Sequence, residues 1–457
     1  MSIMINKVKW NNHASLGNLE LDFLKDDGSA YSTIVLAGEN GTGKTTILET
    51  LSSFLAGESM LPFGYIDYHA DGGDFHITPS NDPSTVESNG FHDRLNRQTG
   101  AQKQVMSGRL YDPDSYQNDP HDLRAYGHVY SKARSGFRTE RVQAITTQQL
   151  DIDKHEPDEE DDFTRIKQLL VDIASQDASE WMRRSSEGGI SDSVFEEFEQ
   201  ASKTHRFRSA FNDFFDSLEY VRVDNEDPDE KRVIFQKHGR EIGIDDLSTG
   251  EKQIVFRGAH LLRNLNSVMD GIVLIDEPEL SMHPMWQRKI LDYYRQLFTY
   301  GEKQGVQMIV ATHSEYVVRA ALEDRSDALV MVLTDDNGTI RSRRITTPGV
   351  LPKITAAETN YLAFNIASID YHIELYGYLQ SKTNSSNVKQ CDEYIRNASP
   401  YMTSKHEKKD NYKNWTYETL PTYIRNAIDH PESGRKYTDS QLQTSIELLI
   451  NICKELA

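Results

Sequence analysis

The 457-residue chain is predicted to be an α/β protein: a parallel sheet carries a phosphate-binding loop, a helical lobe interrupts it, and a helical C-terminal domain follows. Three observations predict this. The apolar run Tyr31 to Ala37 passes into Gly38-Glu39-Asn40-Gly41-Thr42-Gly43-Lys44-Thr45-Thr46 and then into a helical pattern through Ile47, Leu48, Leu51 and Phe54. A second apolar run, Gly271 to Ile275, ends in the adjacent acids Asp276 and Glu277. A third, Val306 to Ala311, is followed by Thr312-His313-Ser314.

Each run has a chemical reading. Glycines let backbone N–H groups converge on phosphate oxygens, and the positive end of the following helix adds to the attraction. Lys44 is placed to bridge outer phosphates and the Thr45 hydroxyl to ligate magnesium. A buried parallel strand delivers its terminal acids at the carboxyl end, where open α/β sheets bind ligands, so Asp276 would hold the metal through water and Glu277 would orient an attacking water. His313 ends its strand in position to sense a γ-phosphate.

One further motif, Leu247-Ser248-Thr249-Gly250-Glu251-Lys252-Gln253, has the Ser-X-Gly-Glu pattern of an ATP-cassette signature. With the others it makes the sequence resemble the ABC-type ATPases, in the branch that includes the RecF, SMC and OLD-like proteins. Asp276-Glu277-Pro278-Glu279-Leu280-Ser281-Met282-His283-Pro284 resembles the Glu-Pro-Glu-X-X-X-His-Pro version of OLD-like and defence ATPases. The resemblance covers residues 1 to about 345 and implies an ABC-type phosphate-loop head using ATP and Mg2+. Carried over, it makes Gly38, Asn40, Gly41, Thr42, Gly43, Lys44, Thr45 and Thr46 nucleotide-binding, Thr45 and Asp276 metal-binding, Glu277 the general base and His313 the switch residue. Ser248, Gly250 and Glu251 would address the nucleotide held by a second subunit, which implies at least a dimer. The glutamine that the family places between the first strand and the helical lobe is left unassigned.

The expected division is an ATPase head over 1–65 and 221–348, an insertion over 66–220 and a C-terminal helical domain over 349–457. Residues 66 to 125, rich in Asp, Gly, His, Ser, Asn and Pro, read as irregular and mobile, and residues 151 to 162 as an acidic, disordered segment. Phe207, Phe211, Phe214, Phe215 and Leu218 share one helix face and read as the core of the lobe. No sustained heptads appear, which argues against a long-armed SMC-type chain.

The C-terminal domain reads as helices over Leu362 to Leu379, Leu420 to Ile428 and Leu442 to Leu456, separated by a polar stretch from Ser381 to Trp415. It lacks the Glu and Asp-X-Asp pattern of a TOPRIM nuclease. Arg425-Asn426-Ala427-Ile428-Asp429-His430-Pro431 resembles the Arg-polar-X-X-X-His element of HEPN domains, which makes Arg425 and His430 ribonuclease candidates. On an ideal helix these two sit about 140° apart, but Pro431 disfavours helix at His430 and frees its ring. A helix ending in an interface is the favoured reading.

A formal charge of −21 opposes a surface that coats nucleic acid, leaving Lys132 to Arg138 and Arg341 to Arg344 as local candidates for polynucleotide contact. No apolar run reaches the roughly 18 residues of a membrane span, and the start at Met1 shows no signal peptide pattern, so a cytoplasmic protein is expected. Cys391 and Cys453 fit a reducing compartment and offer no metal spacing. The whole arrangement resembles PtuA-type ATPases of Septu and retron-linked antiphage systems. That resemblance implies an HNH nuclease partner of the PtuB kind and, for some members, a retron reverse transcriptase with its RNA–DNA. A RecF/SMC-like DNA-repair ATPase and a self-contained HEPN-type toxin ribonuclease stay open as alternatives.

Overall fold

The computed structural model describes residues 3–71, 73–80, 91–106, 119–134, 139–156, 162–187, 192–225, 227, 229–301, 303–324, 327–345, 349–412 and 415–456. Its centre is a seven-stranded sheet in the order Thr339–Ile345, Ala328–Asp336, Thr33–Gly38, Gln307–Ala311, Ile272–Asp276, His128–Ser131 and His155–Glu156. All neighbours run parallel except the edge strand Thr339–Ile345. The predicted α/β class and the three predicted strands are therefore present, with the His313 strand lying between the phosphate-loop strand and the Asp276 strand.

Strand alternation sends side chains to two separate cores. Val35, Ala37, Val273, Ile275, Met308 and Val310 face one core, shared with the helical lobe and the helix Thr249–Arg263. Ile34, Leu36, Ile272, Leu274, Ile309 and Ala311 face the other, shared with the phosphate-loop helix Lys44–Leu55 and a second sheet. That sheet is antiparallel and six-stranded, ordered Glu20–Asp22, Met4–Trp10, Phe63–Ala70, Gly73–Pro79, Phe91–Asn96 and Gln102–Met106.

Residues 66 to 125 are thus not irregular where described: three of these strands and most of a fourth lie there, and the strand into Ser131 follows. The physical reason is one-sided burial. Phe63, Ile66, Tyr68, Phe75 and Ile77 line the core while Asp67, His69, Asp74 and His76 lie between them, so these strands are locally polar. Residues 81–90 and 107–118 of that stretch lie outside the described residues. The acidic segment is also ordered over its described part. Asp151 pairs with Arg206 at 2.9 Å and His155–Glu156 joins the sheet edge; residues 157–161 lie outside the described residues.

The helical lobe consists of Asp162–Glu187, Asp192–Ala201 and Lys203–Phe214. Phe207, Phe211 and Phe214 are buried on the last helix, as a core reading requires, but the helix stops there; Phe215 caps it and Leu218 opens a strand. The three-stranded sheet Leu218–Asp224, Arg232–Lys237 and Arg240–Gly243 then leads into the signature helix.

The C-terminal domain has its own core around Leu375, Leu379, Ile424, Ile446 and Leu449, in helices Ala356–Phe364, Ile369–Lys382, Val388–Asn397, Leu420–Asp429 and Asp439–Glu455. It is not all-helical. Glu407–Tyr412 pairs with Trp415–Thr419 in an antiparallel hairpin, inside and beyond what the sequence presents as a polar stretch. Tyr417 and Thr419 point inward while Trp415 and Thr416 stay exposed, so only two side chains of the second strand carry a core signal. The first helix of the domain packs on the head: Ala363 joins the head core, Asn360 donates to Glu315, and the Arg343 guanidinium donates to the Leu362 carbonyl at 2.6 Å. Both cysteines are buried free thiols, with burial pushing Cys391 up to about 11 and Cys453 to about 12.

Candidate functional site

The phosphate loop owes its shape to glycines held at positive φ. Gly38 adopts φ 141°, and a Cβ there would lie 2.3 Å from the Leu333 carbonyl oxygen; at Gly43, φ 83°, it would lie 2.3 Å from the Leu16 side chain. Glu39, Asn40 and Gly41 form the exposed tip, and the buried Thr42 hydroxyl donates to the Glu39 carbonyl at 2.9 Å. Lys44 is buried and donates to the Gly38 and Glu39 carbonyls at 2.9 and 2.8 Å, so its ammonium sits inside the loop. The next residue, Thr45, donates to Asp276 Oδ2 at 2.9 Å, while Thr46 uses its carbonyl to accept from Thr50.

That Thr45–Asp276 contact joins two segments 231 residues apart and brings the predicted metal ligands together. Both are hard oxygen donors, the set Mg2+ takes when substrate phosphates and water complete its shell. Burial pushes the Asp276 carboxyl up, and the hydrogen bond from Thr45 opposes this. A bound dication would favour the ionised form.

Glu277 adopts φ 43°, the left-handed region that disfavours a side chain, and its N–H donates to the Ala311 carbonyl at 2.8 Å. His313 Nε2 lies 3.6 Å from Glu277 Oε1. Burial lowers the His313 pKa and nearby Lys44 adds to this, while Glu277 and the Gly38 backbone oppose it; the ring is therefore neutral at neutral pH. Its backbone N–H donates to Glu279 Oε1 at 2.8 Å. Glu279 is buried, and burial raises its pKa. The His-Pro pair of the extended motif has a structural role: His283 Nδ1 accepts from the Met285 N–H and Pro284 opens the helix Pro284–Leu297.

Lys44 supplies a pH test. Burial pulls its ammonium down to about 8, against Glu277, Asp276 and Glu279, which hold it up. If Lys44 holds phosphate as proposed, it does so in its charged form, so affinity should be complete well below pH 8 and fall as pH rises through it, by up to about tenfold per pH unit. A nucleotide titration flat between about pH 7 and 9 would contradict this.

Ser248 stands exposed at the N-terminus of Thr249–Arg263 in a capping box. Its hydroxyl accepts from the Glu251 N–H, and the Glu251 carboxylate accepts from the Ser248 N–H at 2.8 Å. Although burial pushes Glu251 up, hydrogen bonds from Lys237 and Ser248 hold it below the usual range. Glu251 thus builds the helix end. Gly250 is also needed within the subunit, since a Cβ would lie 3.0 Å from the Ser281 carbonyl and 3.2 Å from the Trp286 ring.

Two features escape a motif reading. Arg257 is buried, and its guanidinium reaches the backbone at the ends of two strands. Its only sequence signal is a lone arginine among Ile254, Val255 and Phe256. The segment between phosphate loop and lobe that reaches this end of the sheet is Ser131 to Arg134, and it contains no glutamine; Ser131 is in register with Ile275.

In the tail, Arg425 pairs with Asp429 at 2.6 Å and donates to Asn426, while His430 ends its helix with Nδ1 3.4 Å from Glu432. Of the basic candidates, Lys132 lies over the Tyr130 ring and Arg134 over Phe163; residues 135–138 lie outside the described residues. Arg343 and Arg344 donate to the Leu362 and Leu24 carbonyls, and Arg341 pairs with Asp336. Among the described residues, no helix is long and apolar enough to cross a membrane.

Residues 134–319 match the family described as "AAA domain, putative AbiEii toxin, Type IV TA system", and residues 7–220 match a second AAA-domain family. Over these two stretches the chain is similar to AAA-type ATPase domains. Over 121 residues this chain is 31% identical to the Retron Vc95 probable ATPase of Vibrio cholerae, covering 24% of this chain and 22% of that one. Over 94 residues it is 38% identical to the Retron Ec83 probable ATPase of Escherichia coli, covering 19% and 16%. The matched segments thus span about a fifth of those relatives' length. A solved SMC head bound to the C-terminal winged-helix domain of ScpA overlaps 75% of this chain and 98% of its own, at 15% identity and a TM-score of 0.40. The fold of the ATPase domain rests on its own sheet order and loop geometry.

Proposed function

We propose that this chain is the ATP-binding and ATP-hydrolysing subunit of an antiphage defence complex, assembling through composite ATP sites and controlling a partner nuclease. The observation that carries the reading is the Thr45–Asp276 contact with Glu277 and His313 beside it, a hydrolytic half-site at the carboxyl ends of the parallel strands. The signature motif supplies the other half, an exposed helix N-terminus led by Ser248. Matches to two retron ATPases support the defence context.

In this reading the loop N–H groups and Lys44 take the triphosphate, and Thr45 and Asp276 hold Mg2+. Bound there, the metal offsets charge on the outer phosphates. Glu277 orients water and accepts its proton, and neutral His313 holds the γ-phosphate or that water. Ser248 and the N-terminus of its helix close over the nucleotide of the neighbouring copy. Occupancy then sets the assembly state, which restrains or releases an HNH nuclease and, in a retron-linked system, a reverse transcriptase with its RNA–DNA.

Co-expression with the neighbouring genes, followed by sizing and mass identification of what travels together, tests this. Recovery as an ATP-dependent oligomer with a nuclease attached is expected. A lone monomer with and without ATP would remove the proposal.

A further inference from the structure

Arg257 lies 9 residues into the helix that Ser248 caps, about 13 Å along its axis, on the face turned to the sheet. All three of its nitrogens are engaged. Nε donates to the Ser131 hydroxyl at 3.0 Å, Nη1 to the Glu277 carbonyl at 2.7 Å, and Nη2 to the carbonyls of Lys132 at 2.9 Å, Ser131 at 3.2 Å and Asp276. One planar cation thus ties the signature helix to the strand end that presents the metal ligand and the base. A lysine, with one nitrogen, cannot hold this fork.

The grip falls where the backbone is strained. Glu277 holds φ 43°, a conformation that persists only when the surroundings fix it. Its N–H is tied to Ala311 and its carbonyl to Arg257, so the peptides on both sides of its Cα are anchored. These two anchors aim the carboxylate toward His313. A helix moves as a unit, so a displacement at Ser248 reaches the Glu277 carbonyl through Arg257.

We propose that Arg257 is a positioning residue: it converts engagement of Ser248 by the nucleotide of the neighbouring copy into the working orientation of Glu277 in its own subunit. This rests on the composite-site reading above. Arg257 touches no substrate; it acts on the base through the backbone.

The test compares Arg257→Gln, Arg257→Lys and Ser131→Ala with the unaltered full chain, reading kcat, nucleotide affinity and ATP-dependent self-association. Arg257→Gln and Arg257→Lys are expected to lose about 100-fold in kcat, with affinity within about threefold and self-association retained. Ser131→Ala removes one acceptor and leaves the guanidinium in place. It is expected to lower kcat about threefold to tenfold with affinity unchanged, and it answers the question should the arginine variants fail to fold. Unchanged kcat in Ser131→Ala and in any arginine variant that folds, or losses of kcat matched by equal losses of affinity, would overturn the role. Unaltered protein that neither hydrolyses ATP nor self-associates with it would instead defeat the composite-site reading.

Discussion

Glu277→Gln is expected to bind MgATP with near-normal affinity and to lose about 10²- to 10⁴-fold in turnover. The substitution keeps size and hydrogen-bonding reach but removes the group proposed to accept the proton of the attacking water. Two features of the site make the loss large. Glu277 sits beside Asp276, whose oxygen is already engaged by Thr45, so that neighbour is occupied with the proposed metal position. His313, 3.6 Å away, is in this reading already engaged with the γ-phosphate or the water, so it does not take over the role of the missing carboxylate. Binding without turnover should trap the closed assembly, visible as a larger species on sizing with ATP. Normal turnover would show that another group is the base.

Ser248→Arg should abolish hydrolysis while each copy still binds nucleotide, because the long cation projects from the helix end that has to approach the neighbouring triphosphate. The variant also loses the N-cap, which accounts for roughly 1 kcal/mol of stability. Ser248→Ala loses the cap and the hydroxyl without adding bulk or charge, so the difference between the two variants isolates the effect of the obstructing cation. Mixing Ser248→Arg with Glu277→Gln sharpens the experiment, since a composite site pairs one subunit's loop with the other's signature. Wild-type turnover by Ser248→Arg would end the composite-site scheme.

How much of this could be read from residues alone depended on whether the signal was contiguous. The loop from Gly38 to Thr45 and the Asp276 strand were legible because fully buried parallel strands are unbroken apolar runs, and their ligands follow directly in sequence. The strands between Phe63 and Met106 were not. Their apolar residues are few and mostly alternate with others, and the Asp, His, Asn and Gly between them have the composition of loops. The hairpin at Trp415–Thr419 hid for the same reason, with only Tyr417 and Thr419 turned inward. Arg257 was illegible for a different reason: four of its partners are carbonyls on segments up to 126 residues away, and a carbonyl has no letter in a sequence.

The seam between head and tail bears on how the molecule can be cut. Leu362 and Phe364 of the first tail helix lean on the head core that contains Val317, Val318 and Ala321, residues of the helix directly after His313. Beside them a cavity of about 680 Å³ runs from Glu39 at the loop tip to Lys454 in the last helix. A shortened chain ending at Ile345 therefore strips greasy cover from the element next to His313. Sluggish chemistry or clumping in such a fragment would report a wound in the head rather than a lost duty of the tail.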